Sequence, residues 1–486
     1  MKAYSVNRMI EIAIAMSTEK DITALLELIL KEAMDITNCD GGTVYVREKD
    51  GLHFHNMITL SKGFHRKRTG KEELLPPVPM TRSHVCACAA MDHKKIRIED
   101  VYLSDTYDFS GAAKYDKYNG YRTKSMLVIP MEDEKGRNIG VLQLINAMDA
   151  EGNIIGFDPE DEEIITALSS LAAISMNNSR LAKSVYDILH SFVTVMVDAV
   201  DARSSYNANH TKSMVHYADR FLTWLEENGA PWQVPEEERD PFLMSVWLHD
   251  IGKLVIPLEI MDKATRLGDR EERVMNRIQT ACLMEQIRGL KNPEEAASAA
   301  EAEEKLKEAA EVIRKADTAG FLPDEVLDKL AELRDYPCLQ PDMTTVPLFT
   351  PEEYTAITVR RGTLTAEERR EIERHVEYTG SLLGKMVFEG DYTEVPGWAA
   401  MHHEFLNGTG YPNHRKGDEI PPEVRLITIL DVYDALTAED RPYKPPMPPE
   451  RAFSILESMR DEGKLDGEML RLFRESGAWK KNAAEG

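Results

Sequence analysis

The stretch Ser245–Pro257, SVWLHDIGKLVIP, decides how most of this chain is to be read, together with HHEFLNGTGYP at 402–412 and DVYDALTAEDRPYK at 431–444. Val246, Trp247 and Leu248 form an apolar run that ends on His249-Asp250, with Lys253 one helical turn further on. A His-Asp pair emerging from an apolar helix face is costly to bury unless something charged satisfies it. Divalent metal is the usual partner: imidazole gives nitrogen, carboxylate gives oxygen, and one carboxylate can bridge two ions. His402-His403 repeats the theme, His210 and His375 stand in helical surroundings, and Asp431 opens the third stretch. Any one of these histidines alone reads as structural. Their clustering reads as a metal centre.

The rest of the chain sets the frame. At 486 residues, with 42% hydrophobic and 29% charged residues, it is globular in composition, and ~150 residues per domain gives about three domains. Lys+Arg number 59 and Asp+Glu 84, for a formal charge of −25. So acidic a surface repels nucleic-acid backbone and anionic lipid, and it receives a small anionic substrate only where metal ions or local cations gather. The cysteines (Cys39, Cys86, Cys88, Cys282, Cys338) are scattered without a C-x-x-C pair and read as reduced thiols, with Cys86-Ala-Cys88 a weak redox or metal candidate. Arg8 and Glu11 interrupt the N-terminal stretch, and no apolar run approaches the ~20 residues that span a bilayer. The expectation is a cytoplasmic protein that binds neither nucleic acid nor membrane.

Residues 1–158 mix helix and strand signals. Ile22, Leu25, Leu26, Ile29, Leu30 and Ala33 mark a helical face; Gly42–Val46, Leu52–Phe54, Ser125–Pro130 and Ile139–Asn146 read as strands between charged or Gly-rich turns. This order, closing with GRNIGVLQLINAMDAEGNIIGFDPEDEEIITAL, resembles a GAF sensor domain. Cyclic-nucleotide-binding members carry an Asn-Lys-x-Phe-Asp-Glu constellation. Asn146, Phe157, Asp161 and Glu162 match it, but Ala147 replaces the Lys, so these residues are expected to be scaffold. Residues 159–200 predict one long helix, with Ile164, Leu168, Leu171, Ser175, Asn178, Ala182, Val185, Leu189, Phe192, Met196 and Ala199 at 4-3 spacing. That seam suits a parallel coiled-coil homodimer through 164–199, in which Asn178 fixes register; the alternative is a helix packed on its own domain. Ala264–Arg361, rich in Ala and Glu, predicts two helices and a loop studded with Pro337, Pro341, Pro347 and Pro351.

HDIGK resembles the core motif of the HD phosphohydrolases, and HHEFLNGTGYP followed by DVYDALTAEDRPYK resembles their HD-GYP subfamily, over roughly 185–480 with 264–361 as a helical insertion. The resemblance implies an α+β GAF sensor, a coiled-coil linker helix and an all-α hydrolase that opens cyclic di-GMP to linear pGpG or GMP at an iron or manganese centre. Its ligands would be His210, His249, Asp250, His375, His402, His403 and Asp431, with Asp250 bridging. Lys253 would steady or protonate phosphate oxygens, Arg441 and Lys444 would receive the dinucleotide phosphates, and the Gly-Tyr-Pro loop would offer a surface to a diguanylate cyclase. Glu404 is expected to hydrogen-bond a ligand His. Some relatives hold a third ion on a Glu four residues before the first His; here that residue is Tyr206, so two metals are expected. TAEDRPYK is one residue longer than usual, which loosens the assignment of Arg441 and Lys444. Hydrolysis of another cyclic nucleotide or dinucleotide, or a non-catalytic effector role, stays open.

Overall fold

Side chains alternate along the strands of the N-terminal part, and both alternating sets are buried. The computed structural model describes residues 6–18, 21–68, 75–203, 209–438 and 446–480, and it divides into two units, 1–189 and 190–486. In the first, α1 (Val6–Thr18) and α2 (Ile22–Thr37) precede β1 (Cys39–Arg47), β2 (Leu52–Thr59) and β3 (Phe64–Lys67). Then come α3 (Val85–Asp92), β4 (Ile96–Ile98), α4 (Ser110–Asn119), β5 (Met126–Glu132), β6 (Asn138–Met148) and β7 (Ile154–Ile155). The sheet order is β3-β2-β1-β6-β5-β4, with β7 on β6 and every pair antiparallel. Val44, Leu127, Ile129, Leu142 and Leu144 pack with α1, α2 and the start of α5 (Pro159–Arg203), while Tyr45, Met126, Val128 and Val141 pack with α3. The strands expected from sequence are all present. β3, β4 and β7 are too short to show a period.

Between the second sheet face and α3 and α4 lies a cavity of about 410 Å³, lined by Tyr45, Phe54, Met57, Phe109 and Gln143 among others. Among the described lining residues, Asp108 is the one carboxylate, and neither Lys nor Arg is present. The expected scaffold residues do scaffold work. Asn146 accepts from the Lys124 amide (2.7 Å) and donates to Tyr121 Oη and the Arg122 carbonyl; Phe157 is core; Glu162 pairs with Lys95 and Arg97. Cys86 and Cys88 are free thiols buried on α3, and burial pushes Cys86 up to about 12. Burial thus disfavours the reactive thiolate at Cys86 at neutral pH.

The long helix is present, but its apolar exposure differs from the expected seam. Leu168 is fully buried in the core of the first unit, as are Ala172 and Met176. The exposed large apolar residues are Leu171, Ile174, Leu181, Val185, Ile188, Phe192 and Val195. Five expected positions (171, 178, 185, 192, 199) remain on this face, while their companions fall one residue earlier, at 174, 181, 188 and 195. The reason is that the domain core claims the neighbouring face, including Leu168.

The second unit is helical around one core of Tyr217, Phe221, Phe242, Leu426, Leu430, Tyr433, Phe453 and Phe473. Its elements are α6 (His210–Glu227), α7 (Glu236–Leu248), a 3-10 turn (Ile251–Leu254), α8 (Leu258–Met261), α13 (Ala366–Glu373), α14 (His375–Leu383), α15 (Val395–Ala399), α16 (Pro422–Thr437), α17 (Pro449–Asp461) and α18 (Gly467–Ser476). Between α8 and α13 stands the insertion: α9 (Arg270–Lys291), α10 (Ala296–Thr318), α11 (Asp324–Leu333), a β8–β9 hairpin (Pro337–Leu339, Thr345–Pro347) and α12 (Pro351–Ile357). It holds a separate apolar core. Two helices and a loop were too few: Cys338, Leu348 and Phe349 bury into that core and order the Pro-rich stretch. The insertion's ends meet, with Thr363 Oγ1 donating to the Lys263 carbonyl (3.0 Å) and Arg266 Nε to the Val359 carbonyl (2.6 Å). Among the described residues, no helix is long and apolar enough to cross a membrane.

Candidate metal centre

A helix leaves its last carbonyls without intrahelical donors, and here those carbonyls orient imidazoles. His249 caps α7, and its Nδ1–H donates to the Val246 carbonyl at 2.7 Å. His375 donates likewise to Ile372 at the end of α13, and His402 to Ala399 at the end of α15, both at 2.7 Å. A carbonyl can only accept, so each ring carries its proton on Nδ1 and leaves Nε2 as a bare lone pair. His210, first in α6, gives Nδ1–H to Asp434 Oδ2 at 2.7 Å.

The remaining atoms converge on two carboxylates. Asp250 Oδ2 lies 3.2 Å from His249 Nε2 and 3.7 Å from His210 Nε2, while its Oδ1 lies 3.4 Å from His375 Nε2 and 3.9 Å from His402 Nε2. Asp431 Oδ1 lies 3.2 Å from His210 Nε2, and Oδ2 lies 3.5 Å from His403 Nδ1. Every residue put forward as a ligand is thus brought together. They form overlapping groups, His210/His249/Asp431, His249/Asp250/His402 and His375/His402/His403, with donor atoms in each group within 4.8 Å of one another.

The donor set fits a divalent metal. His249 Nε2 is buried with no hydrogen-bond partner. His375 Nε2 and His402 Nε2 face each other at 3.3 Å, two acceptors with no proton between them. A cation relieves both, and nitrogen and oxygen donors without thiolate suit it. Protonation states agree. Burial favours the neutral ring in His375, down to about 4, and in His402 and His403. Burial would raise Asp250, but the Lys253 cation beside it holds it well below the usual carboxylate range. Burial would raise Asp431 too, and the hydrogen bond from His210 overrides it. His210 is the exception among the rings: burial opposes its charge, yet the Asp431 and Asp434 carboxylates raise it to about 10.

Around the ligands stand residues that sequence reasoning missed. Lys253 Nζ lies 2.6 Å from Asp250 Oδ2, as expected. The Gly252 N–H donates to Thr379 Oγ1 (3.0 Å), which donates to the His249 carbonyl (2.9 Å); a Cβ at Gly252 would overlap the His375 carbonyl oxygen. Thr428 Oγ1 donates to the His402 carbonyl at 2.8 Å. Helical spacing was the available signal: Asp434 follows Asp431 by one turn, and Thr379 follows His375 likewise. Glu404 departs from expectation. It is buried and accepts from the Asn413 and Arg415 amides (2.7 and 3.0 Å), because the loop after Pro412 supplies two free N–H groups that a buried carboxylate needs. Tyr411 packs its ring 4.9 Å from that of His403. Asp201, on α5, is buried with Oδ2 lacking a hydrogen-bond partner. Tyr206, Arg441 and Lys444 lie outside the described residues.

Residues 21–176 match the GAF domain family and 346–469 the HD domain family. Over 102 residues the chain is 41% identical to the 3'3'-cGAMP-specific phosphodiesterase 3 of Vibrio cholerae, covering 21% of each protein. It is 32% identical over 106 residues to the cyclic di-GMP phosphodiesterase response regulator RpfG of Xanthomonas campestris, covering 22% of this chain and 27% of that one. It is 34% identical over 110 residues to a cyclic di-GMP phosphodiesterase of Thermotoga maritima, covering 22% and 28%. The matched parts thus span about a fifth to a quarter of these relatives. The chain joins a GAF domain to an HD domain.

Proposed function

We propose that the second unit is a metal-dependent phosphodiesterase of the HD-GYP type that hydrolyses cyclic di-GMP to linear pGpG, GMP or both, regulated by the first unit. The observation that carries this reading is the division of Asp250: one oxygen faces His249 and His210, the other His375 and His402. Such a division would let one carboxylate be shared by two ions. His210, His249, Asp250 and Asp431 would hold one, and Asp250, His375, His402 and His403 the other. Iron, or else manganese, suits these donors best. When bound, such ions supply Lewis acidity at the phosphate and water acidified towards neutral pH. The chain's own residues do the rest. Asp434 and three backbone carbonyls fix the imidazoles, and Lys253 offers a cation to negative charge growing on the phosphate oxygens. Arg441 and Lys444 are proposed to receive the phosphates.

A second substrate has a specific observation in its favour: several similar relatives are named 3'3'-cGAMP-specific phosphodiesterases. The test is direct. Purified protein is assayed for bound metal and incubated with cyclic di-GMP and 3'3'-cGAMP, and the products are separated by chromatography. Hydrolysis of neither by metal-loaded protein would leave the effector reading and refute this one.

The proposal extends to regulation and assembly. The cavity in the first unit, with aromatic walls and no described cation, suits a neutral small ligand better than a cyclic nucleotide. The exposed face of α5 suits a second copy of the chain in parallel. Leu171, Asn178, Val185, Phe192 and Ala199 occupy one set of heptad positions, and Ile174, Leu181, Ile188 and Val195 the other. Arg180, Lys183 and Asp187 fall away from that face, so no like charges oppose its closure. The Gly-Tyr-Pro loop is proposed as the surface for a diguanylate cyclase partner, and the cytoplasm as the location.

A further inference from the structure

The 3-10 turn Ile251–Leu254 links the ligand Asp250 to Lys253 and is a single turn long, too short to hold its own direction. One side of it is fixed. Gly252 lies against the His375 carbonyl and donates to Thr379, so α14 blocks movement that way. On the carbonyl side, Arg203 Nη1 donates to the Lys253 carbonyl at 3.2 Å and also to the Leu254 carbonyl. These carbonyls close the turn, where partial negative charge accumulates and a guanidinium is the matching group.

Arg203 is the last residue of α5. The same end of that helix is tied down again by Asp198, paired with Lys212 of α6 at 2.7 Å, and by buried Val193, Val197 and Val200. Its guanidinium is therefore presented from a fixed base.

We propose that Arg203 is a positioning residue: it holds the carbonyl side of the Ile251–Leu254 turn and thereby sets where Lys253 points relative to the metal ligands. The inference rests on the hydrolase reading above and deepens it by naming how the site is regulated. Asp250 is held by its own surroundings, with imidazoles around both oxygens. Lys253 Nζ pairs with Asp250 Oδ2 at 2.6 Å, so the reach of its side chain depends on where the turn holds its backbone. Loss of Arg203 frees the carbonyl side while Gly252 stays wedged, so the turn pivots and shifts the Lys253 backbone relative to that pairing. Because α5 also gives Leu168, Ala172 and Met176 to the core of the first unit, Arg203 is where a shift along that helix meets the catalytic lysine.

The test is a double-mutant cycle on metal-loaded full-length protein. Arg203→Ala is expected to lower kcat about ten- to a hundredfold, the range that a misplaced catalytic group costs, with KM and metal content unchanged. Arg203→Lys should recover part of the loss. Introduced into Lys253→Ala, Arg203→Ala should cost nothing further, because the residue it positions is gone. Multiplying effects in the double variant, a matching loss of metal, or wild-type kcat in Arg203→Ala would each overturn the proposal. Amide exchange separates this failure from failure of the function itself. If the wild-type protein hydrolyses no cyclic dinucleotide, the hydrolase reading falls. The clamp is then decided by the Val255 and Ile256 amides, which hydrogen-bond back into the turn: faster exchange in Arg203→Ala supports it, and unchanged exchange overturns it.

Discussion

Replacing Gly252 with alanine would place a methyl group where the His375 carbonyl oxygen and the Thr379 amide nitrogen already stand. Both obstacles are backbone, so neither can rotate away as the end of a side chain would. Overpacking costs ~1–3 kcal/mol. As the turn backs off to relieve part of that clash, it also gives up the 3.0 Å bond from the Gly252 N–H to Thr379, worth ~0.5–1.5 kcal/mol. The sum is ~1.5–4.5 kcal/mol, or ~3–9 °C in Tm at ~2 °C per kcal/mol for a large domain. The damage should also be local. His375 is displaced directly and His249 through Thr379, so bound metal should fall along with Tm. Differential scanning fluorimetry with and without manganese, plus elemental analysis, measures both. Gly289→Ala is the control: it sits within α9, its nearest neighbour would be Ala299 Cβ at 3.3 Å, and its effect should stay within ~1 kcal/mol. A Gly252→Ala protein with wild-type Tm and full metal content would refute the close approach of the HDIGK turn to α14.

Other expectations follow from the same geometry. Asp250→Ala or His249→Ala should lose metal and turnover while circular dichroism stays native, whereas Lys253→Ala should keep its metal and lose ~10²–10³-fold in rate; retained metal with wild-type hydrolysis in Asp250→Ala would show the site is elsewhere. Val185→Glu with Ile188→Glu should convert a dimer to monomer by light scattering, because both residues are exposed on the heptad face; a wild-type monomer at micromolar concentration would end that reading. Metal loading should release a proton from His210. Against burial, Asp431 and Asp434 raise this ring to about 10 in the metal-free protein, and a ligand must be neutral. Apparent metal affinity should therefore rise with pH up to that value, and calorimetry in buffers of different ionisation enthalpy reads the proton. The same pair stabilises the metal-free fold fully below ~6.5, with the contribution fading as pH rises through about 10.

The candidate site was legible because its residues announce themselves chemically. The clustered His-Asp and His-His pairs pointed to metal chemistry, and the resemblance to the HD-GYP subfamily implied the full ligand set before any helix was placed. Its supports were not. Thr379, Thr428 and Gly252 are ordinary residues whose importance lies in which carbonyl they face across the fold, and only the packing of α14 and α16 reveals that. The helix α5 shows the limit of periodicity: Ile188 and Leu189, or Val195 and Met196, serve a seam almost equally well in sequence. The choice between them came from which face the first unit's core had already taken, through Leu168, Ala172 and Met176. In the insertion, proline count suggested loop, whereas Cys338, Leu348 and Phe349 gave the Pro-rich stretch a core to fold onto.

The meeting of Lys263 with Thr363 has a consequence for the history and engineering of the chain. A segment that leaves and re-enters through one doorway, with its own core, can be gained or lost in a single genetic event without moving Lys253 on one side or His375 on the other. It behaves as a cassette. Cutting at that doorway and closing it with a short turn should leave the hydrolase framework standing, and grafting another small domain there should be tolerated.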